Sequence, residues 1–502
     1  MGMNPLLWLL VTPSCCSFMV YIVGRIIAAD KRKGPNKTVW LCLLSLILTC
    51  VPFFMTARQF TQDGSVSLVV GAITLTFDGI SFLITSVLLL LGIMVVLFSA
   101  EYMSHQSHEE KFYAQLMILI TSIIGLSTAT DLFNLYVWFE LMAVSTYTLV
   151  SFYRNRSESL EAGIKYLVQS AAGSVFVLLG IAILFALTGE IKISEIANNL
   201  QTNSPALIAA TACLIVGFGV KSAIIPMHFW LPDAHSQAPA GVSAMLSGIV
   251  IETGLIALLR ALSATRNVDL PLGTIFLIFG SVNMLMGTFS ALRQQEVKRM
   301  LAFSSISHMG YILLGIGFAL SYQQSAVNSY GIFSHIFNHA MMKGLAFLSA
   351  GALVFRLKIS KGNHDPLYLD DLNGVAASYP AFALALSIAA FALSGLPLFS
   401  GFLSKWLILA SGAASKSTAA TFFIILAACN SVLSLGHYAP IVNRMYRHNL
   451  EDSGSASAQK WGGTMLIPIV ALCMIIIMIG FFPFLTDKLA HLAGETFYNM
   501  FY

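Results

Sequence analysis

Charge is what this sequence has least of. Only 10% of its 502 residues are Asp, Glu, Lys or Arg, against 57% hydrophobic. Soluble domains carry about 25% charged residues. This chain cannot hide that much apolar surface by folding into a ball in water, so it reads as an integral membrane protein. Cysteine is sparse as well: seven, at 15, 16, 42, 50, 213, 429 and 473, with no CxxC spacing. They read as small core hydrophobes. No iron–sulfur, haem or zinc ligand set is visible, so no cofactor and no metal is expected in this chain. There is also no GxGxxG, no P-loop and no basic–aromatic tract suited to nucleic acid. No basic residue precedes the first apolar stretch, 5–27, and "KRKGPNK" follows it. That pattern fits a first membrane helix better than a cleaved signal peptide.

What the chain does have is apolar length. A bilayer-spanning helix needs about 20 mostly apolar residues. About fourteen windows qualify: 5–27, 39–56, 80–100, 112–129, 132–153, 162–188, 205–229, 239–263, 270–291, 298–320, 325–355, 378–414, 419–443 and 463–487. The fold class is therefore all-α and polytopic. The windows 325–355 and 378–414 are too long for one straight crossing. The latter contains Gly395, Pro397 and Gly401 and reads as a broken helix. "SVSLVVGAITLTFDG" alternates and contains Gly, which predicts a short extracytoplasmic hairpin.

Lys and Arg set the orientation. Seventeen of the 27 fall in loops after odd-numbered spans and six in the even loops and tail, with Arg260 counted among the six and Lys298 among the seventeen. The odd loops should face the cytoplasm and both termini the outside. The remaining four, Lys165, Lys221, Lys343 and Lys405, lie in or at the ends of spans. Four regions follow: 1–110 (three helices and the hairpin), 111–265 (spans four to eight), 266–445 (spans nine to thirteen) and 446–502 (a loop and the last span).

An ionisable group near the bilayer centre costs at least about 2.5–3.5 kcal/mol on insertion scales. Each one should therefore face a partner, a cavity or water. Glu140 sits mid-span in "LYVWFELMAVSTYTLV". Lys221 precedes Pro226 in "GFGVKSAIIPMHFWLP", and Lys405 follows Pro397 in "SGLPLFSGFLSKWLILA". Paired Gly/Pro-interrupted spans, each with a central Lys, suggest two inverted five-helix repeats, spans 4–8 and 9–13, with spans 7 and 12 broken. Glu140 and His308 would occupy corresponding fifth and tenth spans. His335, His339 and Lys343 recur at i, i+4, i+8 on one face of the eleventh span. That stripe is a proton relay, structural polar glue or a metal pair. The segment 228–240 reads as the loop between spans 7 and 8. Its His228, Asp233 and His235 either admit protons or cap helices. Ser304, Ser305 and Ser307 line a water path or bond carbonyls. Glu252, in "LSGIVIETGLIALLR", has no opposite charge within seven residues. Either it partners a base on another helix or it takes part in the relay.

"FELMAVSTYTLVSFYR", "KSAIIPMHFWLPDAHSQAPAGVSAMLSG", "VKRMLAFSSISHMGYILLGIGF" and "FNHAMMKGLAFLSAGAL" together resemble the antiporter-like subunits of respiratory complex I. These are related to the large subunits of Mrp-type sodium/proton antiporters and of group 4 membrane-bound hydrogenases. The resemblance covers most of the chain. It implies fourteen helices with two inverted repeats, Glu140 paired with Lys221, Lys405 as the terminal residue of the path, and His308, His335, His339 and Lys343 as a polar central axis. Relatives commonly carry Lys where this chain has Glu252, so a charge is reversed there. Glu252 is then expected as a relay site, hydrated or paired with Lys221 or Lys343. The chain is expected to lack the long lateral helix of the largest subunits.

The expected function is proton translocation through two half-channels within a redox-driven complex, in the cell membrane of a prokaryote. Its partners would be other membrane subunits, including further antiporter-like ones, docked in part through "KRKGPNK" and the loop 444–460. The chemistry would lie outside this chain. The alternatives are a Na⁺/H⁺ antiporter or carbon-uptake subunit without redox chemistry, an inert scaffold, and a stand-alone carrier.

Overall fold

A computed structural model describes residues 4–29, 37–104, 106–200, 203–322, 329–359, 365–447 and 463–502. The segment 30–36 and most of the loop 444–460, expected to dock neighbours, lie outside the described residues. In chain order the helices are α1 (Pro5–Ala29), α2 (Lys37–Asp63), α3 (Gly79–Tyr102), α4 (Glu109–Thr128), α5 (Leu132–Val150), α6 (Ser157–Thr188), α7 (Ile193–Asn199), α8 (Pro205–Lys221), α9 (Trp230–Gln237), α10 (Ala240–Met245), α11 (Ile251–Leu262), α12 (Leu272–Leu292), α13 (Val297–Tyr322), α14 (Tyr330–Leu357), α15 (Val375–Ser378), α16 (Pro380–Ser394), α17 (Ser400–Ala414), α18 (Thr418–Tyr446), α19 (Gly463–Phe481) and α20 (Phe484–Phe501). A π turn, Leu246–Val250, joins α10 to α11. Between α2 and α3, β1 (Val66–Val70) pairs antiparallel with β2 (Ile73–Phe77), the hairpin that the alternation predicts.

Eleven helices among the described residues are long and apolar enough to cross a membrane, counting α10, the π turn and α11 as one. The chain is an integral membrane protein. Local signals start its helices in the usual way. Asp78 caps α3 by accepting from Ser81 N at 2.9 Å, and Asp131 caps α5 through Asn134 N at 2.7 Å. Pro205 opens α8 behind a Ser204 cap.

Burial sorts the bundle into a core and a sheath. The apolar windows of Ala240–Thr265, α13 and α14 are 100%, 94% and 89% buried by the protein itself, against 22% for α18 and 33% for α6. Three central helices are thus surrounded by protein, and the outer ones show apolar side chains to lipid. This explains α14. The window 325–355 was expected to be too long for one straight crossing, yet it holds a single 28-residue helix. Its length of about 42 Å exceeds a ~30 Å hydrocarbon core, but it is sheathed by protein over most of that length. The outer helix α12 meets the central α13 backbone to backbone. A Cβ added at Gly310 would lie 2.5 Å from Met284 N and 2.6 Å from Gly280 O, so only glycine permits the crossing.

Two helices are broken at Gly and Pro. After α8 the chain turns through residues 222–229, with Ala223 at φ 50° and a cis Ile225–Pro226 bond, and resumes as α9. After α16 it turns through Gly395 at φ 85°, Pro397 and Leu398 at φ 78°, and resumes as α17. The expectation of a loop at 228–240 is corrected. Most of that stretch is the eight-residue helix α9, with Trp230 and Leu231 buried at 1% and 0% exposure. Its apolar residues fill the space that the break in α8 opens.

Candidate functional site

The three central helices bring most of the expected ionisable residues together. Glu252 on α11 and His339 on α14 are both fully buried, and Glu252 Oε1 lies 2.6 Å from His339 Nδ1. This corrects the expected partner of Glu252: it is His339, not Lys221 or Lys343. The reason is the pitch of α14. Lys343 sits one turn beyond His339 and turns to α13, donating to Leu301 O at 2.9 Å and to Ser304 Oγ. Glu252 Oε2 and His339 Nε2 have no hydrogen-bond partner among the described residues.

The histidines extend this pair along α13 and α14. His308 lies with its ring centroid 5.1 Å from that of His339. Its Nδ1 is 3.2 Å from His335 Nε2, and His335 Nδ1 is 2.9 Å from Ser404 Oγ on α17. A neutral imidazole presents one donor and one acceptor, so bonded imidazoles can hand a proton on by exchanging tautomers. Glu252–His339 and His308–His335–Ser404 are two hydrogen-bonded segments, brought side by side where the His308 and His339 rings lie 5.1 Å apart. Among the described residues, no group of three or more His, Cys, Asp or Glu is arranged to hold a metal ion.

Lys221 ends α8 at the first break and is fully buried. Its ammonium donates to Thr146 Oγ1 at 3.0 Å and sits 4.5 Å from the centroid of the Tyr166 ring, a cation–π arrangement. That ring stacks on Trp230, whose indole N–H donates to Val220 O at 2.7 Å. Glu140 is half-buried and bonds Ser174 Oγ on α6 instead. Glu140 and Lys221 form no ion pair within 4.0 Å among the described residues, so here the two are apart. The first half meets the centre closely: a Cβ added at Gly254 would lie 3.1 Å from Lys221 Cβ.

Lys405 lies past the second break. It donates to Leu393 O at 2.9 Å and Ser394 O at 3.3 Å, carbonyls that the break frees, and lies 4.8 Å from the Tyr311 ring centroid. Lys221 is therefore held by a hydroxyl and Lys405 by carbonyls of broken backbone, each beside an aromatic face and with no carboxylate within 4.0 Å among the described residues.

The expected access residues are dispersed. His235 on α9 is fully buried and stacks on Phe347 at 4.6 Å. Asp233 reaches outward to Lys165 at 3.1 Å and Arg299 at 2.8 Å. Lys165 itself is 52% exposed and also pairs with Glu161, so it is no core base. His228 and Pro226 lie within the first break and Pro397 within the second, none of them fully buried.

Several residues escape a reading by composition windows. Arg260, counted with the outer loops, is buried inside the end of α11 and binds both Asp78 oxygens, at 2.8 and 3.0 Å. Lys298, counted with the inner loops, is buried and donates to Ser236 O and Ala238 O at 3.1 and 2.6 Å. Asn283 on α12 stitches the first break: its Oδ1 accepts from Ile225 N at 2.8 Å and its Nδ2 donates to Ala223 O at 3.1 Å. A lone amide in an apolar span was the signal for Asn283. The Lys298 and Arg260 signals were blurred by their place near span ends.

Comparison with known proteins bears on this geometry. Residues 129–434 match the sequence profile of the NADH:quinone oxidoreductase/Mrp antiporter transmembrane family. Residues 66–113 match that of the N-terminus of chain 5 of NADH–ubiquinone oxidoreductase (complex I). The chain is 32% identical over 422 residues to F(420)H(2) dehydrogenase subunit N of Methanosarcina mazei, covering 82% of this chain and 84% of that one. Its fold resembles a chain of the membrane-bound sulfane sulfur reductase, an archaeal respiratory membrane complex, at TM-score 0.87 and 24% identity, with 99% of both chains covered. It also resembles a chain of the Mrp complex from Dietzia sp. DQ12-45-1b, at TM-score 0.83 and 20% identity, covering 99% of this chain and 98% of that one.

Proposed function

Because this chain belongs to the NADH:quinone oxidoreductase/Mrp antiporter transmembrane family, we propose that it translocates protons as one membrane subunit of a redox-driven complex. The observation that carries this reading is the Glu252–His339 bond beside the hydrogen-bonded pair His308–His335, the His308 and His339 rings lying 5.1 Å apart. A structural core has little use for so many ionisable groups, each costly to bury, gathered in one place.

The path runs in three stages. Lys221, held by Thr146 and Tyr166, takes a proton from the first half and gives it up when the charge of Glu140 moves relative to it; a nearby carboxylate favours the charged amine and burial disfavours it. Glu252 and His339 accept it at the centre. His308 and His335 pass it toward Ser404 and the surroundings of Lys405, from which it leaves. His228, Asp233 and His235 lie near the break that would admit protons. The energy comes from a reaction on another subunit.

On this reading the eleven long apolar helices, α5 and the two broken helices make fourteen crossings. The stretches α4–α11 and α12–α18 are two inverted repeats, each holding one broken helix. The basic loops face the cytoplasm of a prokaryotic cell, and both termini face outside.

The test is made in the assembled complex. Glu140→Gln and Lys221→Ala should abolish translocation, and translocation retained in both variants would sink the proposal. The second reading, a subunit of a Na⁺/H⁺ antiporter, draws on the likeness of fold to the Mrp complex. The likeness to F(420)H(2) dehydrogenase subunit N, 32% identical, favours the redox-driven reading. Co-purifying subunits distinguish the two: redox proteins support the first, and small membrane subunits without redox groups the second.

A further inference from the structure

The buried face of α18 carries a polar stripe that the path above does not use. Asn430, Ser434 and His437 recur at i, i+4 and i+7 and are 1%, 5% and 2% exposed. The rest of α18 is the least buried of the long helices, 22% over its apolar window. The few side chains this helix turns inward thus include an amide, a hydroxyl and an imidazole in one line.

The stripe begins beside Lys405. Asn430 Nδ2 donates to Ser307 Oγ and to the Tyr311 hydroxyl, each at 3.3 Å, and the Tyr311 ring faces the Lys405 ammonium. Ser431 Oγ lies 3.4 Å from that ammonium. The stripe then runs toward the basic end of the helix. There Arg444 binds Asp370, whose side chain is 84% exposed. At 1.5 Å per residue, His437 stands about 10 Å from both Asn430 and Arg444, midway between Lys405's surroundings and the surface.

His437 itself is poorly explained as packing. Both ring nitrogens are buried without a hydrogen-bond partner among the described residues, and the ring lies 4.1 Å from that of Tyr438. Buried polar groups are nearly always bonded, and leaving one unbonded is costly. The charged groups within electrostatic reach are Lys343 on α14 and Lys405 on α17. A third observation is independent of packing. Glu252 follows Lys221 by 31 residues, and His437 follows Lys405 by 32. On the proposed repeat arrangement, His437 falls within one residue of the place that Glu252 holds in the first repeat.

We infer that His437 carries protons inward from the Arg444 face of the membrane, along Ser434 and Asn430 to Tyr311 and Lys405, as a second entry on the face that also bears the first break. This rests on the reading that the chain moves protons. A proton bound at one ring nitrogen of His437 leaves from the other, so atoms balance and no co-reactant is needed.

The experiment uses membrane vesicles bearing the complete complex, with proton movement followed by a ΔpH dye and assembly by immunoblot. Glu140→Gln serves as the reference for the proposed function. His437→Gln should lower translocation at least five-fold with assembly unchanged. His437→Lys, which keeps a titratable group, should restore part of the rate and move its pH profile to higher pH. A fully active His437→Gln beside an inactive Glu140→Gln overturns this inference and leaves the proposed function standing. Full activity in both overturns both. A Lys variant that restores the rate with an unmoved pH profile marks a structural residue and also overturns it. Should His437→Gln fail to assemble, His437→Cys decides, in a chain whose exposed Cys15 and Cys429 are Ser. Labelling by a small membrane-impermeant thiol reagent from the Arg444 side supports the route, and protection from it refutes the route. Ser434→Cys, one turn away, takes the same label test if the His437→Cys chain is not assembled.

Discussion

Asp78→Ala removes a clamp that holds the end of α11, two turns beyond Glu252. Arg260 Nη2 meets Asp78 Oδ1 and Oδ2 at 3.0 and 2.8 Å, Ser81 Oγ at 3.2 Å and Ser127 O at 2.5 Å. The two side chains are only 7% and 16% exposed. Breaking a buried pair by deleting one partner costs about 3–5 kcal/mol, because the other charge is stranded. Here Ser81 and Ser127 still solvate the guanidinium, so the lower end applies, about 3 kcal/mol. Asp78 also caps α3, and losing that bond adds about 1 kcal/mol. The expected loss is about 4 kcal/mol in all. Asp78→Asn keeps an acceptor for the cap and should cost about 3 kcal/mol. Asp78→Ala with Arg260→Met removes the stranded charge, so it should cost much less than Asp78→Ala alone, with a coupling of about 3 kcal/mol. The assay is equilibrium unfolding in mixed micelles, read by exposure of the buried Cys16 and Cys42 to a thiol dye. A loss under 1 kcal/mol in Asp78→Ala, or additive single and double variants, would refute the reasoning.

Four further outcomes are expected. Glu252→Gln should leave assembly intact and lower translocation at least ten-fold, about 1.4 kcal/mol in barrier; normal translocation would make Glu252 a packing residue. Glu252→Lys buries an unpaired ammonium against His339, at a cost of at least about 2.5–3.5 kcal/mol, and should assemble poorly; a chain that assembles and translocates at the wild-type rate counts against the pairing. Asn283→Leu strands Ile225 N and Ala223 O at the first break, at about 1–3 kcal/mol each, and should destabilise by at least about 2 kcal/mol with translocation falling in parallel; unchanged denaturant midpoints would show that the break is held by something else. Gly310→Ala drives a methyl into the α12 backbone and should cost about 1–3 kcal/mol, measured the same way, with a stability gain as the contrary result.

Much of this architecture was legible because glycine and proline punctuate it. The breaks at Pro226 and Pro397 and the hairpin at 66–77 follow from local backbone chemistry, which a sequence displays directly. The existence of a costly Glu252 was equally plain. Its partner was not, because Glu252 and His339 are 87 residues apart and meet only through the rotation of α14 against α11. Arg260 and Lys298 were misplaced for a related reason. A window that ends at a charge assigns that charge to water, whereas here Asp78 and the carbonyls of Ser236 and Ala238 draw the two cations inward. The excess length of α14 was misread because a helix sheathed by protein need not match the bilayer.

The carboxylate at 252 makes electrostatic sense once its partner is known. The core around it already holds Lys221, Lys343 and Lys405, each buried and each bonded to neutral oxygens. A fourth amine there would gather like charge in a region with little water. Glu252 beside His339 behaves differently. With one proton shared between them, the pair is an acid beside a neutral imidazole or a carboxylate beside an imidazolium. Its net charge is the same either way. Moving that proton across the 2.6 Å bond therefore creates no isolated charge, the most expensive event at this depth. On the proposed path, a second proton from the Lys221 side would make the pair cationic, and repulsion from the nearby lysines would then favour its onward transfer to His308. A carboxylate at this position lets the centre hold one proton at low cost and release the next one readily. On the proposed path, that is what the meeting of the two half-channels requires.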